Sequence, residues 1–309
     1  MQITILGTES LGVRGLSCLV EWEKTRIVID PGMALGFQRH GLLPHPTQVA
    51  VAERVRGQIL AALKGATDVV FSHYHGDHVP LVNPNPYQID LKEAAPLIQN
   101  AHIWAKGPDG LSHKMAARRA SLVEALGESL PVVEGQSVSC LAFSPAVPHG
   151  EPGSRLGRVM MTRVEDETQV FVHASDIQLL NEEPVSLILD WEPDAALVGG
   201  PPLYLDFMGG DLRKKAWEQA LRLANGIETL ILDHHLLRSQ EGLHWLDDLS
   251  AAAGRPIYCA ADFMDLPRRL LEAQRQSLYA EMPVPAGWHT AYAEGKASTQ
   301  PYWSRLSGI

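Results

Sequence analysis

Between Ser72 and His78 the chain reads SHYHGDH. His73, His75, Asp77 and His78 fall within six residues, in a chain with 13 histidines among 309 residues. Imidazole nitrogens and carboxylate oxygens are the donors that zinc, ferrous iron and similar divalent ions accept. On an extended segment, residues two apart point the same way, so His73 and His75 can hold one ion. A loop can turn Asp77 and His78 toward a second. Two ions need more than four donors, so the rest must come from elsewhere. His149 in PAVPHGEPG, Asp176 in FVHASD, and His234 and His235 in LILDHH are the candidates. Each stands at the end of a strand-like run, where loops gather and sites form.

The elements that must position these residues can be read from periodicity and turn chemistry. QITILG, SCLVEW and TRIVIDPG read as three strands, the last ending on Asp30 with Pro31-Gly32 as its turn. Residues 49–64 have apolar positions at helical spacing, with Gly65 as terminator. TDVVFS is a short strand that delivers the histidine cluster. Residues 79–111, rich in proline and asparagine, read mainly as loop. Residues 112–126 read as a helix with Ser112 as N-cap and Gly127 at its end. Strand-like runs follow at SVSCLAFSPAV, RVMMTRV and TQVFVHASD, then two apolar pieces, VSLILD and AALVGG. A helix over 211–224 closes at Asn225-Gly226, and ETLILDHH is a further strand. From about residue 243 the tail reads as mostly helical. Strands, helices, strands and helices in that order suggest an α/β chain with two sheets, each covered by helices. We expect one domain over 1–309, with 243–309 packed on it as a helical extension.

Composition narrows the function. Hydrophobic residues at 45% and charged residues at 20% suit a globular protein with a large core. No apolar run approaches the roughly 20 residues that cross a bilayer, so no membrane partner is expected. MQITILG has neither a basic segment nor a long apolar one and reads as a strand, not a signal peptide. Cys18, Cys140 and Cys259 are scattered without CxxC spacing, which fits a reducing cytoplasm and argues against thiolate zinc. A net charge of −10 argues against long nucleic acid. A small-molecule substrate is the expected partner, and a homo-oligomer is left open.

The order His-x-His-x-Asp-His, then His, Asp and His, resembles the metallo-β-lactamase superfamily over Met1 to about residue 240. Asp30 in IVIDPG resembles the aspartate that stands behind the ligands in that family. ILGTESLGVRG is similar to the opening of its phosphodiesterase and tRNA-processing branches. PPLYL and LDHHLLR resemble a branch of predicted metal-dependent hydrolases, many of them archaeal. The resemblance implies a four-layer αβ/βα sandwich with two divalent metal ions at one sheet edge, zinc first, iron or manganese otherwise. By position, His73, His75 and His149 would hold one ion. Asp77, His78 and one of His234 and His235 would hold the other, and Asp176 would bridge them. His234 is preferred as the last ligand because it precedes Arg238 by four residues, as in the THFSxR-like ending of tRNA-processing relatives; His235 is the alternative.

The chemistry implied is hydrolysis by a metal-bound hydroxide, because a divalent ion lowers the pKa of bound water to about 7. Asp77 would orient or deprotonate the water, and the spare histidine or Arg238 would face the substrate anion. His40 and His45, in RHGLLPHP, would overhang the site as substrate-binding residues. Plainer readings compete. His149 could be an ordinary loop histidine, Asp176 a turn former, and Asp30 part of a simple Asp-Pro-Gly turn. The expected substrate is a small phosphodiester or related phosphorylated compound, with a carboxylic ester, lactone or amide as the alternative. A di-iron redox protein is disfavoured, because such relatives carry a carboxylate where this chain has His75. An RNA-processing nuclease is disfavoured too, because only 57 residues, 177–233, separate Asp176 from His234.

Overall fold

The computed structural model describes residues 1–127, 130–151 and 153–306. The first sheet has the order β1 (Gln2–Gly7), β2 (Ser17–Trp22), β3 (Thr25–Ile29), β4 (Asp68–Phe71) and β5 (His102–Ala105). β1 to β3 form an antiparallel meander, and β3, β4 and β5 run parallel, with Val28 opposite Val69 and Val69 opposite Ile103. The second sheet contains β6 (Ser137–Val138), β7 (Leu141–Phe143), β10 (Thr162–Glu165), β11 (Val170–His173), β12 (Ala195–Val198) and β13 (Thr229–Leu232), in the order 13-12-11-10-7-6. β11, β12 and β13 are parallel, and the rest pair antiparallel. A separate ribbon of β8 (Val147–Pro148) and β9 (Arg158–Val159) leads into His149.

Alternation along the first sheet assigns its two faces. Ile5, Cys18, Val20, Ile27, Ile29 and Val70 join a core shared with Val164, Phe171, Ala196 and Ile231 of the second sheet. Their neighbours Leu6, Leu19, Val28, Val69 and Phe71 join another core, with α1 (Pro46–Leu63), α2 (Leu91–Ile98) and α3 (His113–Leu126). The period of two thus drives one face inward between the sheets and the other under helices. Each fully buried Val or Ile contributes roughly 1.5–3 kcal/mol. On the second sheet's outer side lie α4 (Glu182–Asp190), α5 (Gly210–Gly226) and α6 (Gln240–Ala253), through Val185, Ile188, Ala216, Ala220, Leu223 and Leu246. The result is the four-layer αβ/βα sandwich that the superfamily resemblance implies.

Two stretches hold elements that the sequence expectation does not assign. Residues 79–111 contain α2 and β5. Asp90 caps α2 by accepting from Lys92 N, and Leu91, Ala94, Ala95 and Ile98 form its buried stripe, which the surrounding prolines obscured. VSLILD, which the sequence leaves as an apolar piece assigned to neither strand nor helix, is the body of α4, capped by Asn181 and buried only on Pro184, Val185 and Ile188. A six-residue apolar run does not by itself distinguish the two.

Past α6 come α7 (Ala260–Phe263), α8 (Arg275–Glu281) and α9 (Trp288–Ala293). Trp288 and Tyr302 enter the first-sheet helical core. Glu272 and Arg275 reach back to the segment before α1: Arg14 Nε donates to Glu272 Oε2 at 2.7 Å, and Arg275 donates to Leu42 O at 3.1 Å. Residues 307–309 lie outside the described residues. No helix among the described residues is long and apolar enough to cross a membrane.

Candidate metal centre

The parallel strands β3, β4, β11, β12 and β13 end at one edge of the sandwich, and the candidate residues follow from those ends. Asp30 continues β3 and His73 continues β4. Asp176 follows β11, and His234 and His235 follow β13. Backbone bonds hold the ends in register: Asp30 N donates to Val70 O, Met160 N to Ser72 O, Gly199 N to Ser175 O and Asp233 N to Val198 O. Three of these junctions are tight. Asp30, Ser175 and His234 have φ of 50°, 56° and 50°, a left-handed conformation that is uncommon for non-glycine residues. Gly32 is required next to them. A Cβ there would come within 2.3 Å of the His78 and Val79 backbone, so only glycine lets the Asp-Pro-Gly turn meet the histidine loop.

Asp176 lies at the middle of the cluster, fully buried, and its two oxygens face different partners. Oδ2 is 3.4 Å from His73 Nε2, 3.8 Å from His75 Nδ1 and 3.6 Å from His149 Nε2. Oδ1 is 3.0 Å from His78 Nε2 and 3.3 Å from His234 Nε2. Asp77 Oδ2 completes the second group, 3.9 Å from His234 Nε2. The residues therefore fall into His73, His75, His149 and Asp176 on one side, and Asp77, His78, His234 and Asp176 on the other.

These residues fit divalent ions. His73 Nε2, His78 Nε2 and Asp176 Oδ1 are buried and have no hydrogen-bond partner, although leaving a buried polar atom unpaired is costly. Donors about 2.0–2.2 Å from a common tetrahedral ion lie roughly 3.4 Å apart, close to the separations here. Nitrogen-rich sets of this kind suit zinc and iron better than magnesium or calcium.

The backs of the rings are held differently in the two groups. His73 Nδ1 meets the hydroxyls of Ser72 at 2.9 Å and Ser175 at 3.3 Å. His78 Nδ1 meets Asp30 Oδ2 at 2.9 Å, and His234 Nδ1 meets Glu9 Oε2 at 2.7 Å. Burial brings His73 down to about 4, and the neighbouring His78 adds to the shift. Burial also opposes protonation of His234, yet Glu9 and Asp176 raise it to about 9. Burial disfavours the charge on Asp176, but His78, His234 and His73 hold it well below the usual carboxylate range.

His235 and Arg238 stand beside these groups. His235 Nε2 is 3.0 Å from His149 Nε2 and 3.5 Å from Asp176 Oδ2, so this histidine leans toward the first group while His234 faces the second. Arg238 sits on a 3-10 turn, Leu236–Arg238. Its Nε donates to Glu9 Oε1 at 2.6 Å, and its Nη2 lies 3.0 Å from His234 Nε2 and 3.5 Å from Asp77 Oδ2.

The two loop histidines differ from each other. His40 is exposed, in a tight turn with φ of 54°. His45 is a correction to the sequence reading. It is fully buried as the N-cap of α1, Nδ1 accepting from Thr47 N and Nε2 pairing with Met282 O, with Tyr279 and Tyr302 packed edge-on. Both ring nitrogens are committed to structure, which leaves none for a substrate.

Glu9, Ser72, Ser175 and Asp233 were not anticipated. Asp233 accepts from Thr8 Oγ1, Ser10 N, His234 N and Ala260 N, tying the histidine turn to the N-terminal loop. Its place beside His234 was the available signal. Glu9 gave none, because nothing in GTES marks a glutamate as buried.

No family model matches the chain. A UPF0282 protein of Methanosarcina mazei is 52% identical over 302 residues, covering 98% of this chain and 99% of its own. A UPF0282 protein of Thermococcus kodakarensis is 35% identical over 293 residues, covering 90% and 95%. Among solved structures, a metal-dependent hydrolase of the beta-lactamase superfamily matches at 13% identity and a TM-score of 0.49, covering 83% of this chain and 95% of that one.

Proposed function

The chain belongs to the UPF0282 protein family, and from that footing we propose that it is a binuclear metal-dependent hydrolase of a small phosphodiester or related phosphorylated compound. One observation carries this reading: the two oxygens of a single buried carboxylate, Asp176, face two separate sets of nitrogen and oxygen donors. His73, His75 and His149 would hold one ion, Asp77, His78 and His234 the other, with Asp176 between them. When bound, the ions supply Lewis acidity, bringing the pKa of water toward about 7 and stabilising charge on a reacting oxygen.

The protein's own groups do the rest. Asp30 and Glu9 fix the ring orientation of His78 and His234 through Nδ1, so each presents Nε2 to the centre. Asp77 has an 18% exposed side chain, whereas Asp30 and Asp176 are sealed, so it is the carboxylate placed to orient water; burial opposes its charge, but His78, His234 and Arg238 keep it ionised. Arg238 keeps its charge in the buried site, because Glu9, Tyr204 and Asp77 offset the cost of burial, and from its place beside His234 and Asp77 its Nη2 would meet a substrate oxyanion.

Hydrolysis of bis(p-nitrophenyl) phosphate by protein reconstituted with zinc, manganese or iron tests the reading, with Asp176→Ala as control. Metal-dependent turnover absent from the variant supports it. No turnover from protein that holds two ions moves the substrate to carboxylic esters and lactones.

A further inference from the structure

Beside His235 and Arg238 opens a cavity of about 360 Å³. That is the small end of the roughly 300–1,000 Å³ typical of ligand pockets. Its walls are mainly apolar: Leu156, Leu180, Leu205 and Phe207, with Tyr204 toward the arginine. Tyr204 is fixed on both sides. Arg238 Nη1 donates to its hydroxyl at 3.2 Å, and the Arg39 guanidinium lies over its ring at 4.9 Å.

Phe207 is 51% exposed, yet the loop that carries it is pinned. Leu203 and Met208 on either side are buried in the core. Arg213 donates to Met208 O through Nε and to Leu203 O through Nη2, both at 2.8 Å. Held this way, the Phe207 ring adds a fixed apolar surface to the cavity wall. Gln178 is part of the same wall. It lines the cavity, is 3% exposed, and its Oε1 is buried without a hydrogen-bond partner. That oxygen is packed against Gly150, so the side chain walls the cavity and the apolar lining sets what it accepts.

We infer that this cavity seats an aryl or short alkyl arm of the substrate, placing the bond to be hydrolysed against His235 and Arg238, where the two donor groups meet. The inference rests on the hydrolase reading above and names the substrate class within it: an ester with one apolar arm rather than one polar throughout.

Methylphosphonate and phenylphosphonate separate the two ideas, because both carry the tetrahedral anion and only one carries the arm. Calorimetric titration of zinc-reconstituted protein is expected to give a Kd at least about 10-fold lower for phenylphosphonate, from burial of the ring. Phe207→Ala, at an exposed position that tolerates truncation, is expected to narrow that gap. Equal affinities for the two phosphonates in the parent protein would overturn the cavity assignment while leaving the hydrolase reading intact. Failure of both to bind protein that holds its metal would overturn the hydrolase reading and the seat with it. A gap that persists unchanged in Phe207→Ala would also overturn the assignment, because the preference would then come from elsewhere.

Discussion

The two halves of the metal centre are built from similar donors but braced in opposite ways. On the first side, His73 leans on two neutral hydroxyls, Ser72 and Ser175, and burial keeps its ring neutral down to about 4. On the second, His78 and His234 lean on the carboxylates of Asp30 and Glu9, and both rings are held above their ordinary value. A carboxylate behind an imidazole makes it a more basic ligand and fixes its tautomer. Charge follows the same division, since Asp77, Asp30 and Glu9 all lie on the second side, with the Arg238 guanidinium against Glu9 and Asp77 offsetting one of them. The difference teaches that a shared bridging residue need not make two sites equal. The second group is backed by carboxylates, the first by neutral hydroxyls.

The largest effect should come from removing what the halves share. Asp176→Ala is expected to lower activity more than about 100-fold, beyond the range for a residue behind the ligands, and to reduce metal content on both sides. Next come the braces. Asp30→Asn and Glu9→Gln should each weaken one ion about 10–100-fold, read by chelator competition, whereas Ser175→Ala should cost less than about 10-fold. Equal losses in all three would erase the asymmetry.

Acid and base should also separate the halves in metal-free protein. His234 is raised from 6.5 to about 9, so its stabilisation is complete below about pH 6.5 and is lost as pH rises through 9. His73 is lowered to about 4, so stability falls as pH drops from about 6.5 toward 4. Thermal unfolding across pH 4–10 should show both limbs, and Glu9→Gln should flatten the alkaline limb, worth about 3 kcal/mol, while sparing the acid one. The smallest effect on activity serves as the control outside both groups. His45→Ala should cost roughly 1–3 kcal/mol of stability, through its helix cap and the partly buried Met282 carbonyl it leaves unpaired, and leave kcat unchanged once folded.

Much of this was legible in the chain. Asp30, His73, His75, Asp77, His78, His149, Asp176 and His234 stand out by type, spacing and position after apolar runs, and the strands that carry them alternate cleanly. What stayed hidden depends on three-dimensional placement. Glu9 is buried by a long-range pairing with His234, 225 residues away, and no local pattern encodes that. His45 has the composition of a site residue, but its neighbour Pro46 opens a helix and makes it a cap. The helix α4 and the strand β5 were lost to runs too short for periodicity to separate. The lean of His235 toward His149, rather than toward Asp77, depends on a left-handed turn at His234 that a sequence does not display.

The central claim, two ions flanking one carboxylate, is tested most directly by anomalous diffraction at the metal edge from crystals of reconstituted protein. Two peaks about 3.5–4 Å apart are expected, one ringed by His73, His75 and His149, the other by Asp77, His78 and His234, with Asp176 touching both. A single peak at full metal loading, with Asp77 and His234 still paired to Arg238, would contradict it.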